Sequence, residues 1–287
     1  MTDPTAFMDL VPANLFSYEE LVEAYNETRI DYVVPMPMNV ARMREYSTVY
    51  DVNLARSCVV MDGNIIQGLG MLGVREDRSW ITRLGVLPVG RRKGVGRFIM
   101  NELIRQSQVI LDVDTVWLEV IKGNKPAHLL FKDLGFCETR ELIVARRPPN
   151  PNAEIPDHIK YKSVTPLDHE DALILLSHRK ERPNWLNEIE TFYHVKNLSA
   201  LVIDLENGGR GWVTYHAGLL QLTRVIVEVT AGDTAEVTAA ILHMLHHRHK
   251  RQDTITENLF DEVQYQGFRE AGYFEAFRRI EMMKPLK

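Results

Sequence analysis

The stretch RLGVLPVGRRKGVGRFIMNEL, residues 83–103, passes from an apolar strand pattern through a proline and several glycines into an amphipathic helix pattern. A helix that begins at such a turn presents unpaired backbone N–H groups and the positive end of its dipole. Glycines allow the backbone to curl around an anion. The turn also carries four cations: Arg91, Arg92, Lys93 and Arg97. This pattern predicts a diphosphate-binding turn, and it is equally consistent with a solvated basic helix start.

The spacing of the turn differs from two common nucleotide-binding motifs. A Walker A loop requires G-x-x-x-x-G-K-[ST], and the turn has no lysine followed by serine or threonine. A dinucleotide fingerprint requires G-x-G-x-x-G, whereas the sequence from Gly94 reads G-V-G-R-F-I and lacks the third glycine. Neither motif is present in the turn.

Composition and charge restrict the class of protein. The chain has 287 residues, enough for one large domain or two of ordinary size, and its hydrophobic content of 45% is that of a globular protein. The net charge of -5 argues against a general affinity for nucleic acid or for anionic membranes. The basic turn is therefore a local feature.

The cysteines and the N-terminal sequence favour a reducing compartment. Cys58 and Cys137 are far apart and form no C-x-x-C pair, so we expect neither a disulfide framework nor a cysteine-based zinc site. The sequence at residues 1–16 has no basic region typical of a signal peptide, and no apolar run approaches the roughly 18 residues that span a bilayer. We expect a cytoplasmic protein.

A proline-rich segment, RRPPNPNAEIPD at residues 146–157, divides the chain. Proline removes backbone donors and restricts its neighbours, so the segment predicts an extended linker. We expect one domain at residues 1–146, a linker at 147–157 and a second domain at 158–287.

Local patterns in the first half predict the order β-α-α-β-β-β-α-β-α-β, a mixed α/β sheet. Ser17 with Glu20 forms a capping box before a helix. Asp62-Gly63 lies between two apolar runs and predicts a hairpin turn. The second half repeats the same order, with Asp168 and Asn184 as expected helix caps.

The two halves also align with one another. Thr82-Arg83 matches Thr223-Arg224 at a spacing of 141 residues (223 minus 82), and FKDLGF at 131–136 matches FREAGY at 268–273 at a spacing of 137. Glu119 then falls opposite Glu257. This indicates a duplicated fold, although two domains of one architecture can share such patterns by chance.

A histidine-rich segment in the second half has spacing that a metal could use. Its histidines recur three or four residues apart: His243, His246, His247 and His249. No acidic ligand lies at such spacing, and basic residues follow. We therefore expect a solvated or partly packed helix end and no metal site.

The basic turn resembles motif A of the GCN5-related N-acetyltransferase (GNAT) superfamily, whose signature is R/Q-x-x-G-x-G/A after a strand ending in V-x-P. WLEVIKGNKPAHLLFKDLGF, at 117–136, resembles the second signature of that superfamily. The resemblance covers roughly residues 14–146 and implies two tandem GNAT-like acyl-CoA N-acyltransferase domains of α/β class, with a mixed sheet. The cosubstrate that it implies is acetyl-CoA, with no metal.

The resemblance also implies the cosubstrate-binding residues. The pyrophosphate loop would consist of Arg91, Arg92, Lys93, Gly94, Val95, Gly96 and Arg97. The pantetheine arm would lie along Leu84, Val86 and Leu87, with Asn124 opposite, and Phe131 would lie near its sulfur.

Acetyl transfer to an amine requires a base, a donor for the developing oxyanion and a proton for the leaving thiolate. By resemblance, the Val86 backbone N–H is the oxyanion donor and Glu119 is the base. Glu119 lies in an apolar strand, where partial burial would raise its pKa. The alternatives for Glu119 are an exposed strand face or an ion pair with Arg83. The tyrosine that the superfamily uses as the acid corresponds to Phe131, which has no proton to give.

Two further expectations concern the acceptor and the second half. Pro35, Met36 and Pro37 would form an apolar wall of the acceptor site, or would pack on their own domain. At a spacing of 141 residues, the positions of the second half that correspond to the cations of the turn carry no cation, and the segment contains Asp233 and Glu236. We expect a second domain that keeps the fold but does not bind acetyl-CoA, because acidic side chains repel a pyrophosphate.

The leading hypothesis is an acetyl-CoA-dependent N-acetyltransferase acting on a primary amine of a small molecule or a peptide. The alternative is a non-catalytic acyl-CoA-binding or sensing module, which the loss of a hydroxyl at Phe131 favours. The expected state is a monomer or homodimer, with no nucleic-acid or membrane partner.

Overall fold

The computed structural model describes residues 8–32, 34 and 36–286. These residues form two compact units. The first unit contains the residues up to Thr139 together with those from Ile280 onward, and the second unit is Arg140–Arg279.

The first unit is a mixed sheet with helices on both faces. Its elements in chain order are β1 (Met8–Pro12), α1 (Tyr18–Glu27), α2 (Val40–Val49), β2 (Cys58–Asp62), β3 (Ile65–Arg75), β4 (Arg78–Val86), α3 (Val95–Gln108), β5 (Thr115–Ile121), α4 (Lys125–Asp133) and the start of β6 (Cys137–Arg147). Its strands lie in the order β1-β2-β3-β4-β5, and the end of the last strand of the chain, β12 (Phe274–Pro285), completes the sheet.

Alternating side chains of the central strands supply one core on each face of this sheet. In β2, Val60 belongs to the core that includes α3, whereas its neighbour Val59 belongs to the core that includes α1 and α2. Leu72 and Met71 divide in the same way in β3. Because successive residues of a strand face opposite sides, a strand covered on both faces is apolar throughout.

Two local predictions in the first unit are confirmed. The Ser17 side chain accepts from the Glu20 backbone N–H, and the Ser17 N–H donates in return to the Glu20 carboxylate at 2.7 Å, which completes the capping box of α1. β2 and β3 form an antiparallel hairpin in which Asp62 pairs with Ile65. Gly63 in the turn has a φ of 57°, a conformation that glycine adopts at little cost.

A bulge in β4 sets the shape of the first sheet. Leu69 pairs with Gly85 and Met71 with Thr82, so β4 contains one more residue than β3 between these pairs. Arg83 lies in the bulge with a φ of 51°. Bulges of this kind bend a strand and increase its twist. The parallel pairing of β4 with β5 covers Arg78–Ile81 and 115–118, before the bulge.

The second unit repeats this architecture. Its elements are β6 from Arg140, β7 (Tyr161–Leu167), α5 (His169–Ser177), α6 (Ile189–Tyr193), β8 (Leu198–Leu205), β9 (Arg210–Ala217), β10 (Gln221–Ala231), α7 (Thr234–Arg248), β11 (Asp253–Leu259), α8 (Glu262–Glu270) and the start of β12. Its strand order is β6-β11-β10-β9-β8-β7. Within the described part of the chain, no helix combines the length and apolarity needed to cross a membrane.

The same bulge recurs in β10. Thr223 pairs with His216 and Ile226 with Thr214, so β10 has the additional residue. Arg224 has a φ of 55°, as Arg83 does in β4, and the two residues are 141 positions apart. A strained backbone at a matching position in two sheets supports the duplication.

The expected equivalence of Glu119 and Glu257 is wrong. Ile81, two residues before the first bulge arginine, pairs with Leu118, and Leu222, two residues before the second, pairs with Thr254. Ile255 therefore occupies the place of Glu119. The sequence alignment slips because β11 has its own irregularity between Thr256 and Leu259.

One predicted helix cap is also wrong. The side chain of Asn184 makes no capping hydrogen bond, and residues 185–187 form a short 3-10 turn. Glu188, with a ψ of 156°, is extended and separates this turn from α6. By contrast, Asp168 accepts from the Asp171 N–H at 3.2 Å and caps α5 as predicted.

The division into units differs from the expected domain boundaries at two strands. Residues 140–146, expected in the first domain, lie in the second unit, and residues from Ile280 onward lie in the first. The choice of neighbour for an apolar strand depends on long-range pairing, which the pattern of the strand itself does not specify. The segment expected as a linker, 147–157, contains no helix and contributes only Arg147 to a strand.

The histidine-rich segment forms the end of α7. His246 is 1% exposed, and its Nε2 lies 2.9 Å from the Tyr273 hydroxyl. Burial lowers the pKa of His246 to about 2, because the charged imidazolium would lose its hydration. His249 follows the helix, and its Nδ1 lies 2.7 Å from the Gln252 side-chain oxygen.

Protonation of His246 should destabilise the second unit. The folded-state pKa lies below the ordinary value of 6.5, so this contribution to stability is complete above pH 6.5 and is lost as the pH falls below it. The free energy of unfolding should fall by up to about 1.4 kcal/mol per pH unit between about pH 6.5 and 5. Hydrogen exchange of the α7 amides measures this slope, which should be shallower in His246→Gln. An equal slope in both proteins contradicts the assignment.

Candidate active site

Helix α3 begins with backbone N–H groups that no side chain caps. Its N-cap is Gly94, which has a φ of 86° and offers no side-chain hydrogen bond. The Phe98 N–H donates to the Gly94 carbonyl at 2.9 Å, so the preceding amides of Val95, Gly96 and Arg97 have no partner within the helix. With the helix dipole, these amides form a site suited to a phosphate group.

Exposed cations adjoin this helix start. Arg92 and Lys93 are exposed in the turn that leads into α3. Arg97 is also exposed, and its guanidinium lies 3.1 Å from the Asp133 carboxylate. An exposed pair of this kind contributes at most about 1 kcal/mol, so Arg97 can exchange Asp133 for another anion at little cost. The charge and the free amides fit a pyrophosphate.

Arg91 makes a different set of contacts from the other cations of the turn. Its guanidinium binds both oxygens of Asp31, at 2.5 and 2.7 Å, and donates to the Thr28 carbonyl at 3.2 Å. Its Nε donates to the Val86 carbonyl at 3.2 Å. Hydrogen bonding by Arg91 lowers the pKa of Asp31. Arg91 thus joins the chain after α1 to the end of β4.

The two central strands leave an opening between their ends. Beyond Ile81 and Leu118, no pairing of β4 with β5 exists among the described residues. The Leu87 N–H donates to Gln67 of β3 at 2.9 Å, and Gly68 pairs with Val86. Because adjacent residues of an antiparallel strand alternate in direction, the Val86 N–H points away from β3, toward the opening. This is the amide predicted to hold the oxyanion.

The residues predicted along the pantetheine arm lie beside this opening. Leu84 and Val86 are half-buried and pack against the core that contains α3 and α4. Leu87 is half-buried at the end of the strand. Asn124 is the N-cap of α4, on the other side of the opening, and its side-chain oxygen accepts from the Ala127 N–H at 3.4 Å.

The chain after α1 spans the opening. Arg29 donates to the Leu84 carbonyl of β4 at 2.9 Å, and its guanidinium lies 4.0 Å from the centre of the Tyr32 ring. The Tyr32 hydroxyl accepts a hydrogen bond from the Asn124 side-chain amide at 3.3 Å. An added Cβ at Gly85 would lie 2.2 Å from the Thr28 hydroxyl, so this close approach to β4 requires glycine.

Glu119 and Phe131 differ in their surroundings. Glu119 is half-buried and follows Leu118, the last residue of β5 that pairs with β4. The residue thus lies at the start of the opening. Phe131 is 5% exposed and packs in the core, with its ring centre 6.2 Å from that of Phe136. Its burial explains an apolar residue at this position of α4.

Polar aromatic residues surround Arg83 near the expected acceptor wall. The Arg83 guanidinium lies 4.0 Å from the centre of the Tyr46 ring and donates to the Tyr25 hydroxyl at 3.0 Å. It also lies 4.0 Å from the Met36 sulfur. Burial raises the pKa of Tyr46, whose hydroxyl is 2.6 Å from that of Thr82. Met36 is thus near the bulge.

The other two residues of that wall give less information. Pro37 is exposed, and Pro35 lies outside the described residues. The wall therefore stays a prediction.

The corresponding helix start in the second unit is closed. The Asp233 side chain accepts from the Glu236 N–H at 2.9 Å and caps α7. The Gln264 side chain donates to the Val227 carbonyl at 2.9 Å and so connects α8 to β10. Counted from the helix cap, the residue of the first unit that corresponds to Gln264 is Ala127. Counted from the bulge, the residue that corresponds to Val227 is Val86. The alanine side chain has no hydrogen-bond donor and cannot form this bridge.

A cavity of about 520 Å³ remains beside this closed site. Its lining includes Arg179, Glu228, Asp261 and Glu262. Burial lowers the pKa of Arg179 to about 10 and raises the pKa of Glu228. The acidic groups on its wall make the cavity unsuited to a diphosphate. Across the described ranges, no group of three or more histidine, cysteine, aspartate or glutamate side chains could hold a metal ion.

Residues 18–136 match the model of the Acetyltransferase (GNAT) family. This part of the chain belongs to that family. No curated protein shows significant sequence similarity to the chain.

Three solved structures resemble the whole chain, each at 14% identity and over 98% of its length. For a GCN5-related N-acetyltransferase from Sphaerobacter thermophilus, the match covers 96% of that chain with a TM-score of 0.71. For a tandem GNAT protein from the clavulanic acid biosynthesis pathway, the match covers 99% of that chain with a TM-score of 0.62. For a putative acetyltransferase from Pyrococcus horikoshii, it covers 90% of that chain, also with a TM-score of 0.62. The fold is thus a tandem pair of GNAT-like acyltransferase folds.

Sequence reasoning missed the contacts of Arg29, Asp31 and Tyr32. These residues follow a predicted helix and match no motif. The absence of a hydroxyl at Phe131 left the proton donor open between water, another group and no donor at all, and nothing in the sequence singled out Tyr32.

Proposed function

We propose that the protein is an acetyl-CoA-dependent N-acetyltransferase that acetylates a primary amine of a small molecule or a peptide. The observation that carries the proposal is the uncapped, cation-rich start of α3 beside the opening between β4 and β5. Helix amides and cations suit the pyrophosphate, and an opened sheet exposes a backbone N–H to the reacting group.

The residues of the first unit have distinct roles in this proposal. When bound, acetyl-CoA supplies the activated acetyl group. The amides of Val95 and Gly96 hold its pyrophosphate, with charge from Arg92, Lys93 and Arg97. The Val86 N–H stabilises the negative charge that develops on the thioester oxygen. Glu119 accepts a proton from the amine, supported by its half-burial at the start of the opening.

The contacts of Arg91 favour a structural role over contact with phosphate. Four hydrogen bonds to Asp31, Thr28 and Val86 already use its guanidinium. We therefore propose that Arg91 holds the chain after α1 beside the cosubstrate. We also propose that the second unit binds no acetyl-CoA, because Asp233 and Gln264 occupy its corresponding positions.

The second candidate function is a non-catalytic acyl-CoA sensor. Phe131 favours it, since the phenylalanine cannot protonate a leaving thiolate. In either case we propose a cytoplasmic protein, monomeric or homodimeric, that binds neither nucleic acid nor membranes.

Acetyl-CoA should raise the melting temperature of the purified protein, whereas ATP and NAD should not. At about a hundred times its dissociation constant, a ligand stabilises the native state by about 2.7 kcal/mol, which corresponds to a few degrees. Gly94→Glu should abolish the shift, because it places a carboxylate at the uncapped amides. A thermal-shift titration measures both effects.

Gly63→Glu is the matched control for Gly94→Glu. Gly63 is also exposed with a positive φ of 57°, and an added Cβ there meets no atom within 4 Å. This variant adds the same charge and similar backbone strain in the hairpin turn, and it should keep the full shift. An equal response to acetyl-CoA in both variants would contradict the assignment of the α3 turn.

Glu119→Gln should lower the rate of acetyl transfer by about 100-fold while leaving the acetyl-CoA thermal shift intact, because a base acts on the amine and not on cosubstrate binding. Release of free CoA with a panel of amines measures the rate, and Glu23→Gln, on the exposed side of α1, is the control. Binding of acetyl-CoA by the wild-type protein without CoA release from any amine would favour the sensor. A fully active Glu119→Gln variant would refute the proposed base.

A further inference from the structure

A tyrosine phenol borders the opening of the first unit. Tyr32 follows α1, and its hydroxyl lies 3.3 Å from the side-chain nitrogen of Asn124, at the start of α4. Its ring lies under Arg29, which is bound to the Leu84 carbonyl of β4. The phenol thus contacts groups on both sides of the opening, which is where the thioester must lie in the proposed function.

The direction of the hydrogen bonds leaves the Tyr32 proton available. The Asn124 side-chain oxygen accepts from Ala127, so its nitrogen faces Tyr32 and can only donate. The Tyr32 oxygen is therefore the acceptor in this pair. Its own O–H proton makes no other hydrogen bond within the residues that the structure describes.

Two neighbouring contacts fix the position of this phenol. Asp31, the preceding residue, is bound by both guanidinium nitrogens of Arg91, which also contacts the Val86 carbonyl. At the start of the same short segment, the Arg29 guanidinium lies 4.0 Å from the centre of the Tyr32 ring. Tyr32 is thus tied to β4 through Arg29 and, by way of Asp31, through Arg91, and these contacts hold its side chain in place as catalysis requires.

We propose that Tyr32 is the catalytic acid that protonates the leaving thiolate, a role that rests on the proposed acetyl transfer. The amine nitrogen forms a bond to the acetyl carbon and loses a proton to Glu119. As the carbon–sulfur bond breaks, its electron pair goes to sulfur, and sulfur takes the Tyr32 hydroxyl proton. The products are the acetylated amine and CoA with a free thiol. The tyrosinate then regains a proton from solvent, and Glu119 releases its proton to solvent.

Tyr32→Phe should lower kcat by about 100-fold, the usual contribution of an acid in proton transfer. The variant keeps the ring and its contact with Arg29, so the dissociation constant of acetyl-CoA, measured by calorimetry, should stay within about twofold of the wild-type value. Tyr18→Phe is the matched control, because Tyr18 lies on α1 with Arg44 4.3 Å from its ring centre. This control should keep full activity.

A second measurement tests Tyr32 without the reaction. In bound CoA, a hydroxyl that donates to sulfur stabilises the thiolate and lowers the pKa of the thiol. The ultraviolet absorbance of the thiolate gives this pKa. It should lie below that of free CoA in the wild-type complex and should rise in the Tyr32→Phe complex.

The outcomes separate this inference from the proposed function. If the wild-type protein binds acetyl-CoA but acetylates no amine, the proposed transferase fails, and the thiol titration alone then decides whether Tyr32 contacts the sulfur. An unchanged thiol pKa in Tyr32→Phe overturns the inference. A kcat within about threefold of wild type, or a loss of rate matched by a loss of acetyl-CoA binding, also overturns it.

Discussion

The bulge at Arg83 is the constraint on which the site of the first unit depends. An extra residue in β4 bends the strand after Ile81, and pairing with β5 ends there. The backbone N–H of Val86 is then directed into an opening and not into a sheet. The same bend leads the chain through the glycine turn into α3, so one backbone irregularity positions both the amide that we propose as oxyanion donor and the uncapped helix amides.

The second unit shows that this bulge alone is not sufficient for the site. β10 contains the equivalent bulge at Arg224, with nearly the same φ. Its helix start is nevertheless capped by Asp233, and its opening is bridged by Gln264. In our proposal these few side chains separate a unit that binds acetyl-CoA from one that retains only the fold, because hydrogen-bonding groups that are already satisfied offer nothing to a ligand.

Local signals predicted the elements and the glycine turn before α3, whereas long-range contacts were not predictable. The capping box of Ser17, the turn at Gly63 and the glycine turn at Gly94 each depend on neighbours within a few residues. The division of β6 and β12 between the units depends on pairing partners more than a hundred residues away. The contact of Tyr32 with Asn124 joins residues 92 positions apart and has no local signature.

The central claim, that the start of α3 holds acetyl-CoA and the start of α7 does not, is tested most directly by a crystal structure of the complex. The account predicts one acetyl-CoA per chain, with its pyrophosphate at the amides of Val95 and Gly96 and its thioester between Val86 and Tyr32. Acetyl-CoA bound at Asp233, or a pyrophosphate held away from α3, would contradict it.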